Sequence, residues 1–195
     1  MRFDKKKILG ISALLVALIT PLVMADVIYF YTGTINVATT TPPLTLAVGP
    51  NGNENDYIST SITGYDYGFI TTVNITNSTY DYYYQFLEIT AKSNVYIYFN
   101  TSTSSNTSTY IDNAWIVVQN SKGTIVSVVP IISAGKAVAP SSSISLSSGT
   151  YYLSLIIQPV QNSLPETPSK TPITTFYVSI GANVVSSTAV PLPPL

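Results

Sequence analysis

Along most of the chain, apolar and polar positions alternate with the two-residue period of a β-strand. Nowhere do they hold the 3.6-residue period of a capped amphipathic helix. The alternation predicts strands over 44–48, 57–62, 69–75, 82–90 and 95–99, and then over 114–119, 124–129, 143–146, 151–157 and 176–180. Turn chemistry separates them. Gly49-Pro50-Asn51-Gly52, Gly64, Asn77-Ser78 and Ser148-Gly149 are breaks, and Asn120-Ser121-Lys122-Gly123 is the turn of a hairpin. The polar stretch 100–109 and the proline-bearing stretch 158–171 are expected to be loops. About ten short strands with frequent turns predict an all-β chain, a single jelly-roll-like β-sandwich over 44–182 with a proline-rich tail over 183–195.

The start of the chain departs from this rhythm. Arg2, Lys5, Lys6 and Lys7 form a basic head, 8–24 are apolar, and Val23-Met24-Ala25 ends the run with small-residue spacing. This order predicts a signal helix over 1–25, cut between Ala25 and Asp26, and so an extracellular or cell-surface protein that meets the membrane only through its leader. An uncleaved anchor is the alternative, because the run approaches the roughly 20 residues that a span needs. A prepilin-type cut after Gly10 is another, although Leu9 stands where a charged residue is usual.

Residues 26–43 then read as a terminal strand and a stiff connector. Val27, Tyr29, Tyr31, Ile35 and Val37 fall on one face, while Ile28 and Phe30 fall on the other. A strand apolar on both faces requires cover on both sides. Thr39 to Pro43 extends the chain away from it. Freed at a new N-terminus, this segment either folds into its own sheet or completes the sheet of a second copy. When every copy gives one strand and receives one, identical subunits join head-to-tail into an open homopolymer.

Composition narrows the chemistry. Without its leader the chain keeps four lysines against eight carboxylates, a net charge of −4. No basic cluster is available for phosphates, so nucleic acid is not an expected partner. Hydroxyls and amides must solvate the surface, which predicts a stability insensitive to acid. Histidine and cysteine are absent, which removes His- or Cys-based nucleophilic pairs, His/Cys zinc sites and disulfides. The expectation is a protein without catalytic residues, cofactor or metal. Asp66, Asp81 and Glu88 lie among tyrosines, a weak likeness to a sugar platform that sheet packing explains more simply. The loop 51–56 is rich in side-chain oxygen but lacks the calcium-loop pattern, and left-handed turn needs account for its Asn and Gly. Four N-glycosylation sequons begin at Asn74, Asn77, Asn100 and Asn106, and occupation of at least one is expected.

Tyr29 to Val37, followed by Pro42-Pro43-Leu44-Thr45-Leu46-Ala47-Val48-Gly49-Pro50-Asn51, resembles the opening of archaeal donor-strand filament subunits. These are the bundling pili and thread filaments, akin in architecture to the biofilm fibre protein TasA. Leu146 to Leu155 is similar to a late strand pair in such sandwiches, a feature many β-domains share. The resemblance spans about a third of the chain. It implies one β-sandwich, export by the general pathway, polymerisation by donor-strand complementation for adhesion or biofilm, and frequent N-glycans. A secreted or anchored adhesin, a carbohydrate-binding domain and a surface-layer accessory protein are the alternatives.

Overall fold

In the structure, a computed structural model, residues 33–54, 56–138, 141–165 and 171–188 are described. The leader, its cleavage point at Ala25 and Asp26, and Val27, Ile28, Tyr29, Phe30 and Tyr31 lie outside these residues, as does the end of the tail. The chain divides into two units, Met1–Thr40 and Thr41–Leu195. In the first, residues 33–40 belong to no strand and are solvent-exposed.

The second unit is all-β, a sandwich of antiparallel sheets. Its strands are β1 (Leu44–Val48), β2 (Asn53–Glu54), β3 (Ile58–Thr63), β4 (Gly68–Val73), β5 (Asp81–Ala91) and β6 (Val95–Thr103). After a one-turn helix α1 (Thr107–Tyr110) come β7 (Ile111–Asn120), β8 (Ile125–Ser133), β9 (Lys136–Ala137), β10 (Ile144–Leu146), β11 (Gly149–Pro159) and β12 (Phe176–Asn183). Six strands form one sheet in the order β1-β5-β11-β7-β8-β9. Three form a second, β10-β6-β12, and three a third, β2-β3-β4.

Two stretches expected as loops are partly strand. The stretch 100–109 is not a loop throughout: β6 continues to Thr103 and α1 follows. The ladder to β12, which pairs Asn100 with Ser179 and Thr103 with Phe176, supplies backbone partners that outweigh weak strand propensity. Pro159 ends β11 instead of opening a loop. A terminal position tolerates the missing N–H.

One apolar core unites the sheets. Leu87, Ile89, Leu153 and Ile157 of the large sheet and Ile97, Phe99 and Leu146 of the second are all at most 1% exposed. Every one of them sits at the inward parity of its strand, so the period-2 pattern alone places it. Among the described residues every buried side-chain polar atom has a partner. Ser154, for instance, accepts from Gln85 N at 2.8 Å and donates to Gln119 Oε1 at 2.8 Å. Those bonds hold a bulge in which Tyr84, Gln85 and Phe86 stand opposite Ser154 alone, with Gln85 at a φ of 49°. The bulge carries Phe86 inward to Phe69 of the third sheet, ring centres 6.3 Å apart. Gly49 fits against the same bulge; a Cβ there would strike the Gln85 carbonyl.

Candidate functional site

The three-stranded sheet β10-β6-β12 has two edges, and β12 is one of them. Among the described residues β12 pairs only with β6, β1 only with β5, and β4 only with β3. Residues of these three strands line one groove of about 420 Å³. Leu46 of β1, Phe69 of β4, and Val178 and Ile180 of β12 line it, with Pro42 and Pro43 alongside.

The inward row of β12 follows from its register. Ile180 stands beside Phe99 and Ala182 beside Ile97, so Phe176, Val178, Ile180 and Ala182 share the core-facing side. Phe99 and Ile97 are buried, whereas Val178 and Ile180 are only half-buried and Ala182 is exposed. Across the groove, Leu46 and Val48 point inward from β1 by their pairing with Ile89 and Leu87, and both remain half-buried. One hydrogen bond reaches the open side of β1, from Leu46 N to Asp66 O at 3.1 Å. It comes from the turn 64–66, where Gly64, Tyr65 and Asp66 all have φ between 56° and 70°. The groove is thus apolar below and bordered by strands that, among the described residues, are laddered on one side only.

Of the residues proposed to donate a strand, Ile35 and Val37 are described. They are 88% and 91% exposed and in no strand. Phe69, Val178 and Ile180 were read from sequence only as strand positions, because alternation marks the inward row but does not tell whether a neighbouring strand covers it.

The four sequons occupy different settings. Asn74 is exposed, yet its amide donates to Asp56 O at 2.6 Å. Asn77 is exposed in the bend between β4 and β5. Asn100 lies within β6, half-buried, and Asn106 precedes α1. Around the first two, Asp81 organises the loop: its carboxylate accepts from Thr76 N at 2.8 Å, Thr76 Oγ1 at 2.7 Å and Ser78 Oγ at 3.0 Å. Tyr83, buried beneath, donates to Asn74 O at 2.9 Å. Burial, and secondarily the charge of Asp81, push the Tyr83 phenol well above the ordinary tyrosine range.

The acids weighed in the sequence do not form one cluster. Asp66 sits in the β3–β4 turn, Asp81 serves the loop, and Glu88 lies across from Tyr152 on β11. In the oxygen-rich loop, Asn53 Oδ1 is taken by Thr60 N at 2.8 Å. On the outer face of the large sheet, Tyr80 meets Trp115 at 6.3 Å and Tyr82 meets Tyr84 at 6.0 Å, with rings tilted by 54° and 52°. Among the described residues no helix is long and apolar enough to cross a membrane. No protein-family model matches the chain, and no curated protein matches it in sequence.

Proposed function

We propose that this chain is a structural subunit of an extracellular filament in which residues 26–37 of one copy lie as a strand in the groove of the next. One observation carries the reading: an apolar groove bordered by three strand edges, with inward side chains of β12 and β1 left half-covered. At about 3.3 Å per residue, the eight residues of β12 offer roughly 26 Å of edge. A twelve-residue donor is long enough to use all of it. The donor's two apolar faces suit the site, since one meets the core and the other is available to a neighbouring surface. Main-chain hydrogen bonds to the edge would supply affinity, and Leu46, Phe69, Val178 and Ile180 would set the register. Such a contact is head-to-tail and leaves a free groove at one end of the filament and a free donor strand at the other.

The test is removal of residues 26–37 from the exported chain. Negative-stain microscopy should find filaments for the full chain and only monomers for the truncated one. Filaments from the truncated chain would sink the proposal. A carbohydrate-binding module is the second reading, favoured by the exposed Tyr80, Tyr82 and Tyr84 near Trp115. Rings tilted by more than 50° give a sugar no common plane to stack on, which weakens it.

A further inference from the structure

We infer that Asn77, alone among Asn74, Asn77 and Asn100, is an N-glycan acceptor on the folded chain. The inference requires export but not polymerisation. All three begin an Asn-x-Ser/Thr triplet, in which the amide nitrogen receives the sugar and the hydroxyl two residues on completes the recognition. Both groups must be free in an accessible loop, and the attached glycan must afterwards point into solvent.

The fold separates the three on these grounds. In the Asn74 triplet one N–H of the amide is held by Asp56 O and the Thr76 hydroxyl proton by Asp81. The Asn100 triplet lies inside β6, its three residues paired with Ser179, Val178 and Tyr177 of β12. The Asn77 triplet meets every condition. Asn77 and Thr79 are exposed, and neither side chain has a hydrogen-bond partner among the described residues. The loop that carries them is held from beneath: Thr76 and Ser78 are bound to Asp81, and Gln161 Nε2 donates to Ser78 O at 3.0 Å. Asn77 is also not among the residues lining the β12 groove, so a glycan there leaves that site open.

In the transfer itself, Asn77 Nδ2 bonds to the anomeric carbon of a saccharide carried on a lipid phosphate or diphosphate. The bond from that carbon to the phosphate oxygen breaks, the lipid phosphate departs with the electron pair, and the amide proton passes to base. Glycopeptide mapping of protein purified from its native cells reads the result, with electron-transfer fragmentation to tell Asn74 from Asn77. The expected finding is a saccharide mass on Asn77 and none on Asn74 or Asn100. Asn77→Gln and Thr79→Val should each abolish the mass increment while leaving secretion and thermal unfolding of the chain intact, and Thr79→Ser should retain it. A bare Asn77, or equal occupation of all three sites, overturns the inference.

Discussion

The two edges of the sheet β10-β6-β12 make an instructive pair. Each edge strand has β6 as its only ladder partner among the described residues. On β10, Ile144 and Leu146 are nevertheless buried, at 9% and 1% exposure. On β12, the inward Val178 and Ile180 remain half-covered and Ala182 is exposed. Edge position alone therefore does not uncover apolar side chains. What differs is the layer around them: a three-residue strand is small enough for the existing core to close over, whereas β12 is eight residues long and lines the groove. Natural sheets keep free edges short, charged or bulged to prevent unwanted pairing. β12 carries no charged residue and no proline, so nothing on this edge discourages a further strand.

Substitutions should separate the two edges. Leu146→Ala removes a fully packed side chain and should cost about 3–5 kcal/mol in denaturant unfolding. Ile180→Ala in the chain lacking 26–37 should cost less, about 1–2 kcal/mol, since that side chain is only partly buried. With the donor peptide bound, the Ile180→Ala cost should rise toward the Leu146 value. A cost unchanged by peptide would show that the groove is not where the strand binds.

A synthetic peptide of residues 26–37 should raise the melting temperature of the truncated chain. At a hundred times its dissociation constant the gain is about 2.7 kcal/mol. A peptide with Tyr29 and Tyr31 replaced by Asp should give none, because it would bring two charges onto an apolar floor. Gly181→Ala should cost about 1–3 kcal/mol, because the Tyr98 ring lies where the new Cβ would go. That ring ties β12 to β6, so the variant should also weaken peptide binding, and Tyr98→Ala in the same chain should recover part of the loss.

The smallest effect concerns alkaline pH. Tyr83 is harder to ionise folded than unfolded, so its contribution is fully present below about pH 10, the unfolded value. It falls as pH rises above that value and the unfolded chain gives up the proton first. Tyr83→Phe should flatten the alkaline limb of a stability–pH curve, at a cost of about 1 kcal/mol near neutrality for the lost bond to Asn74 O.

Much of this architecture was legible from local pattern. β1 lies over 44–48 as its alternation predicts, and Gly123 N closes the 120–123 turn on Asn120 O at 2.9 Å. The two-residue β2 and β9 left no signal, because such short strands exist only through the neighbours that pair with them. The end of β6 was hidden for the same reason: Asn100, Thr101, Ser102 and Thr103 have a loop composition, and their ladder partner lies more than seventy residues away. The sequons could be counted but not ranked, since nothing local tells that Asn74 is committed to Asp56.

By itself the sequence determined that the chain is built of strands, which side of each strand is greasy, where the turns fall, and that histidine and cysteine chemistry is missing. Tertiary structure alone decided the sheet order, and with it that β12, β1 and β4 border a single groove. The physical reason is range. A side chain's direction follows from its own backbone, but its cover depends on strands brought from far along the chain, which leave no mark on the pattern beside it.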